Sequence, residues 1–329
     1  MDVSQLLTVQ LPTLLVVIIG VPAVLAGYIV GFELLVRRLP DGARPAVRPW
    51  IWVAPALLFV AFFLVYPAID TLRYSLLDNH GAFVGLANYQ AIFSDSTVLI
   101  AIRNNIYWLV LYTGLVLAFG LLLAVLSDRV PYETSVKALI FMPMAVSATA
   151  LAVIWKFMYS YQPLGEPQTG TLNFIVTSLF HAQPITWIQD LRFNNFALIV
   201  AAAWGLTGFA MVILSAALKG IPVDLLEAAR VDGAGEVTIF RRVIFPLLMP
   251  TITVVGTTLV IFALKAFDVV YVMTNGNFET DVLANRMYKE FFNSFNAGRA
   301  GAVAVILLVG VIPVLIFNMR QIRAVEARR

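Results

Sequence analysis

Asn105-Ile-Tyr-Trp-Leu-Val-Leu-Tyr-Thr-Gly-Leu-Val-Leu-Ala-Phe-Gly-Leu-Leu-Leu-Ala-Val-Leu-Ser127 contains no charged side chain. A helix needs about 20 mostly apolar residues to cross the hydrocarbon of a bilayer, so this stretch suffices on its own. Six more apolar stretches, at 12–36, 50–69, 138–159, 196–218, 247–273 and 300–317, are separated by short polar segments. Charged residues make up 12% of the 329 positions and hydrophobic residues 60%. A soluble domain carries about 25% charge, and this chain has too little to coat a water-exposed globule. An all-α integral membrane protein with about seven transmembrane helices is predicted, one N-terminal helix preceding a six-helix core.

Composition also excludes chemistries. There is no cysteine, hence no disulfide framework, thiol catalysis or Cys-based zinc or iron–sulfur site. His80 and His181 lie far apart without ligand-like spacing. No G-x-x-x-x-G-K-[ST] loop is present, so the chain does not bind nucleotide in that way.

Orientation follows from the basic residues of the short loops. One set of loops and ends carries Arg37, Arg38, Arg44, Arg48, Arg129, Lys137, Lys219, Arg230, Arg241, Arg242, Arg320, Arg323, Arg328 and Arg329. The alternate set carries only Arg73, Arg103, Arg192, Arg286, Lys289 and Arg299. The richer set is expected in the cytoplasm, with the N-terminus outside and the C-terminus inside. Met1–Leu11 has no basic residue while Arg37 and Arg38 follow the apolar run, the charge order of an uncleaved anchor rather than a signal peptide. Pro55, Pro143 and Pro313 fall inside spans and predict kinks. Trp50, Trp52, Trp108 and Trp155 lie near span ends, where interfacial anchoring is expected.

The third cytoplasmic loop carries the function. Gly220-Ile-Pro-Val-Asp-Leu-Leu-Glu-Ala-Ala-Arg-Val-Asp-Gly-Ala-Gly-Glu-Val-Thr-Ile-Phe-Arg-Arg-Val-Ile-Phe-Pro246 reads as two short helices around a glycine break. Pro222 suits a first helical position, and Asp224 and Glu227 sit early, where the helix dipole favours negative charge. Gly233 and Gly235 can turn the chain. Glu236 is expected to open a second helix that ends before Pro246 and Pro250. Leu225, Leu226, Ala229 and Phe240 supply apolar surface that needs a cover, either a partner protein or the bilayer surface.

Glu227-Ala228-Ala229, then Asp232-Gly233, with Pro246 following, resembles the EAA loop of permease subunits in binding-protein-dependent ATP-binding-cassette importers. Phe245 stands where that family usually has Leu. Phe267-Asp268-Val269-Val270-Tyr271-Val272-Met273-Thr274 is similar to the stretch that closes the next span in sugar-type permeases. Asn275-Gly276-Asn277-Phe278 departs from their usual Gly-Gly-Pro. Thr280, Tyr288, Phe292 and Gly298 also fit. The extra N-terminal helix resembles the longer, maltose-type partner of a permease pair, and Met-Thr-Asn-Gly-Asn-Phe is most similar to the alpha-glucoside or glucosylglycerol subgroup.

The resemblance implies an anchor and basic linker at 1–49, a permease core at 50–319 with a coupling loop at 219–246, and a basic tail at 320–329. It implies a bacterial or archaeal cytoplasmic membrane, a second permease as heterodimer partner, two copies of an ATPase subunit and an external solute-binding protein. ATP and Mg would sit on the partners, with no cofactor in this chain; lipid surrounds it and nucleic acid has no role. Glu227, Ala228, Ala229, Asp232 and Gly233 would couple to the ATPase.

At the family's distances from Glu227, the solute path of a sugar or similar neutral solute falls on Ala202, Gly205, Leu206 and Phe209, and on Leu259, Phe262, Ala263 and Ala266. Each set forms one helical stripe, which ordinary packing of small residues would also produce. Polar contacts are missing from both stripes. A charge at a helix centre costs ~2.5–3.5 kcal/mol on insertion scales. An ion pair between Lys265 and Asp268, three residues apart, is therefore expected in preference to substrate binding by Lys265, and Lys156 is expected to reach the interface. A secondary transporter or channel is the rival reading; it has no use for the Glu-Ala-Ala hairpin.

Overall fold

A computed structural model describes residues 16–128 and 130–326. The leading segment, the start of the first span, Arg129, Arg328 and Arg329 lie outside the described residues. Among the described residues the regular structure is all helical, with no strand beyond an isolated bridge between Leu77 and Phe83. The chain divides into two compact units, residues 1–70 and 71–329.

The first unit holds a π turn (Val16–Gly20), α1 (Val21–Arg37) and most of α2 (Arg44–Tyr74). Backbone carbonyls left open where α1 ends are taken up by the linker. Arg44 Nη2 donates to the Arg37 carbonyl at 2.7 Å and Nε to that of Leu39 at 2.9 Å. Arg48 reaches the Glu33 carboxylate at 2.9 Å. The most apolar windows of these two helices bury no residue. Helices that are apolar all round and bury so little have lipid or another subunit as their solvent.

The second unit contains α3 (Ala87–Ser94), α4 (Ser96–Ser127), α5 (Glu133–Phe141), α6 (Ala148–Met158), α7 (Thr171–Ser178) and α8 (Asn194–Lys219). It continues with α9 (Val223–Val231), α10 (Glu236–Leu264), α11 (Asp268–Met273), α12 (Leu283–Tyr288, prolonged by a π turn Lys289–Asn293) and α13 (Ala297–Glu326). Ile18–Arg37, α2, α4, α8 and α10 are each long and apolar enough to cross a membrane. α5 and α6 form one further crossing bent by 100°. With α13, apolar over Ala297–Pro313, the crossings number about seven, as expected.

Two expected spans are broken rather than continuous. Pro143 lacks an N–H and sits in a 3₁₀ turn, Met142–Ala145, between α5 and α6. α6 then restarts on Ser147, whose Oγ accepts from the Ala150 amide at 3.2 Å. The 247–273 stretch likewise divides, because α10 ends at Leu264 and α11 begins at Asp268.

α8 is the centre of the core. Its buried side include Ala197, Ala201, Gly205, Gly208 and Ala210, packed against α4, α6 and α10. Small residues let backbones approach where no hydrophobic force drives helices together. A Cβ on Gly208 would lie 2.5 Å from the Ile140 carbonyl oxygen, and one on Gly120 2.6 Å from Ala210 Cβ.

Charged groups fasten both ends of the bundle. At the end where α4 and α8 finish, Lys137 pairs with Asp128 at 2.6 Å, Lys219 with Glu133 at 2.6 Å, and Ser215 donates to Asp128 at 2.8 Å. At the other end Asp95 meets Arg286 at 3.1 Å and Arg299 at 2.8 Å. Burial raises the Asp95 carboxyl, but hydrogen bonds from Thr97 and Arg299 and the Arg286 charge outweigh it, leaving it below its usual range.

Candidate functional site

The segment after α8 forms the hairpin that its glycines foretold. Pro222 is the N-cap of α9, one position earlier than expected; Asp224 lies in the first turn and Arg230 in the last, matching the helix dipole. Gly233 adopts φ +81°. Its amide donates to the Arg230 carbonyl at 3.0 Å and that of Ala234 to Ala229 at 3.0 Å, a Schellman closure. Arg230 Nε meets Glu236 at 3.1 Å across the turn.

Buried Ile221 and Ile239 root the hairpin, whereas no residue of α9 is buried. Glu227, Ala228, Asp232 and Gly233 are exposed and Ala229 is half-buried. Leu225 and Val231 stand 47% and 88% exposed, too much apolar surface for a helix finished on its own.

One expectation fails here. Glu236 does not open a short helix ending before Pro246; it opens α10, which runs on through Pro246 and Pro250 to Leu264. The π turn Phe240–Ile244 lies one turn ahead of Pro246. A widened turn relieves the clash of the proline ring with the carbonyl four residues back, so the helix survives. The hairpin is thereby continuous with a span, and a push on α9 has no slack loop in which to dissipate.

A cavity of about 200 Å³ opens in the helical bundle of the second unit. α4 contributes Trp108 and Tyr112, the α5–α6 break Pro143, Met144, Val146, Ala148 and Leu151, and α8 Ala202, Gly205 and Leu206. The α10–α11 break adds Phe262, Lys265, Ala266, Phe267, Asp268 and Val269. Of the predicted path, Gly205, Phe262 and Ala266 line this cavity, with Ala202 and Leu206. Ala263 and Leu259 are buried in the core and Phe209 packs against it, so none of these three lines the cavity. Gly205 also serves packing, since a Cβ there would meet Leu151 Cδ1 at 2.6 Å.

Trp108 and Tyr112 were not foreseen as lining residues. They bracket a π turn, whose roughly 4.4 residues per turn bring positions four apart onto nearly one line. Trp108 is 2% exposed, which overturns its reading as an interfacial anchor. Trp155 packs edge-on to Trp204 and beside Tyr159, also inside the bundle. Trp50 and Trp52 are exposed, as anchors are.

The ion pair expected between Lys265 and Asp268 does not form; neither side chain has a charged partner within 4.0 Å among the described residues. Three-residue spacing aligns side chains only on an unbroken helix. Lys265 caps the end of α10 and Phe267, at φ −129°, caps the start of α11, so the spacing loses its meaning. Lys156 is exposed, and its Nζ donates to the Val272 carbonyl at 3.1 Å where α11 ends.

Sequence comparison places this arrangement among known proteins. The osmoprotective compounds uptake permease GgtC of Synechocystis sp. is 51% identical over 280 residues, 85% of this chain and all of that one. The alpha-glucoside transport system permease AglF of Rhizobium meliloti is 45% identical over 278 residues, 84% of this chain and 82% of that protein. A chain of a bacterial alginate ABC transporter, crystallised with a periplasmic protein holding an alginate pentasaccharide, shares the fold at a TM-score of 0.75 and 20% identity, covering 88% of this chain and 98% of that one. Residues 6–328 match the family of binding-protein-dependent transport system inner membrane components. With its several membrane-crossing helices and its coupling-type hairpin, the chain belongs to that family and is a transmembrane permease subunit of an ATP-driven importer.

Proposed function

We propose that this permease moves a sugar or a similar neutral, polyhydroxylated solute, and that α9 is the handle by which separate ATPase subunits drive it. The observation that carries the second part is the hairpin itself: a helix without a buried residue, closed by a Schellman turn and continuous with α10. Such a helix seated in a groove moves with that groove, whereas a flexible loop would absorb the motion. Glu227, Ala228, Ala229, Asp232 and Gly233 form the contact, and ATP and Mg are held by the partners.

The loop charges support a cytoplasmic hairpin and C-terminus with an external N-terminus. Residues 1–49 act as anchor and basic linker, 50–319 as the permease core and 320–329 as a basic tail. The solute class is supported by relatives named for alpha-glucosides and osmoprotective compounds, and by the aromatic wall of the cavity. A second permease completes the pathway, two ATPase copies supply energy, and a solute-binding protein delivers the cargo from outside.

The test is co-purification. An ATPase subunit should accompany the wild-type chain through detergent extraction and be lost from Glu227→Lys, with expression and membrane insertion unchanged. Retention of the ATPase by Glu227→Lys, or labelling of a residue on α9 by a membrane-impermeant reagent from outside, refutes the assignment.

A further inference from the structure

The predicted path lacked polar side chains, and the structure places two beside it. Lys265 and Asp268 flank the break between α10 and α11, and both line the cavity. Both are exposed and neither has a charged partner within 4.0 Å among the described residues. Both directly follow the crossing that ends at Leu264, and a charge there that turns to a cavity without a charged partner is available to a solute. Broken helices are where transporters build such sites. We propose that Lys265 and Asp268 are the specificity-determining polar contacts of this permease, Lys265 donating to and Asp268 accepting from the hydroxyls of a neutral polyhydroxylated solute.

The rest of the cavity fits the same class of ligand. Phe262, half of it exposed, offers a ring surface to the C–H face of a sugar, and the remaining walls, the buried Trp108 and Tyr112 among them, are largely apolar. One cation and one anion at a single mouth leave the cavity without net charge. A charged solute drawn to one of them is repelled by the other; a hydroxylated neutral solute satisfies both. At about 200 Å³ the cavity lies below the ~300–1,000 Å³ of drug-sized pockets, which limits it to a small solute or to one unit of a longer one. Pairing of these two charges with the second permease is the competing account. The cavity favours solute, because opposed subunits bury charge in close-packed contact rather than around an aromatic-walled space.

This inference rests on the neutral-solute reading above, and one experiment separates the two. The complete importer, with second permease, ATPase subunits and binding protein, is reconstituted in vesicles. Uptake of radiolabelled sucrose and trehalose is measured together with ATP hydrolysis. The binding protein sets the half-saturating concentration, so the informative quantity is solute moved per ATP. Lys265→Met and Asp268→Asn should each lower that ratio roughly tenfold, the scale of one lost hydrogen bond to a charged group. Assembly and the stimulation of ATPase activity by loaded binding protein should persist, and Lys265→Arg should retain most uptake.

Unchanged solute per ATP in both Lys265→Met and Asp268→Asn overturns the proposal while leaving the neutral-solute reading intact. Loss of the second permease from either variant overturns it in favour of an inter-subunit pair. Should Lys265→Met fail to insert, the isosteric Asp268→Asn carries the test alone. Uptake of charged solutes only, by the unsubstituted complex, overturns the neutral-solute reading and this inference with it.

Discussion

Gly233 separates backbone strain from every other effect, because its surroundings are empty. No heavy atom lies within 4 Å of the position a Cβ would take, and φ is +81°. Gly233→Ala therefore meets no clash, and its cost is that of holding an L-residue in the left-handed region, about 1–2 kcal/mol. That is a factor of roughly 5–30 in the fraction of hairpins correctly closed. Gly233→Pro is more severe: φ is locked near −65°, and the amide that donates to Arg230 at 3.0 Å is gone. The neighbouring Gly235 has φ −71°, no atom within 4 Å and an N-cap position that serine favours, so Gly235→Ser is the control.

ATP-driven uptake in reconstituted vesicles and recovery of the ATPase subunit on the tagged permease are the two readouts. We expect partial loss of both in Gly233→Ala, complete loss in Gly233→Pro and none in Gly235→Ser, all three inserting normally. Full transport by Gly233→Pro refutes the coupling role of the hairpin. Equal damage from Gly235→Ser refutes the explanation through backbone strain.

Phe262 is 52% exposed and lines the cavity, so Phe262→Ala should reduce uptake about two- to tenfold through a lost ring contact while ATPase recovery stays unchanged; an unaffected uptake rate would return the residue to packing. Gly208→Ala would press a methyl to 2.5 Å from the Ile140 carbonyl oxygen, and overpacking of this kind costs about 1–3 kcal/mol. Its thermal unfolding midpoint in detergent should fall, whereas Gly114→Ala, with nothing within 4 Å, should leave the midpoint in place. Asp95 has a lowered folded pKa, so the stability it contributes is complete above its unfolded value near 3.8 and disappears as pH falls through the lower folded value. Asp95→Asn should unfold more readily than wild type at neutral pH and show a shallower acid limb below about pH 4; parallel acid limbs would remove Asp95 from the account.

Much was legible from local chemistry. Apolar run length reports a bilayer crossing because the hydrocarbon thickness sets it: five of the seven stretches fall on helices long and apolar enough to cross, a sixth on the bent pair α5 and α6, and the seventh on the shorter apolar part of α13. The hairpin was legible for the same kind of reason: Asp224 early and Gly233 at the turn each answer a requirement of their own few residues. What failed depended on where a helix widens or breaks and on which elements packing brings together. Pro246 did not end a helix because a π turn accommodated it, Trp108 proved a cavity wall, and the α10–α11 break left Lys265 and Asp268 apart.

Hydropathy and turn chemistry thus determined, from the sequence alone, where the apolar helices run and where the hairpin after α8 turns, since both depend on neighbouring residues and the solvent. Which face of each span closes on another, where two spans break, and which charges stand unpaired around a cavity were decided only by tertiary packing. Close approach at Gly120, Gly205 and Gly208 sets those relations between residues tens of positions apart, beyond the reach of a helical repeat.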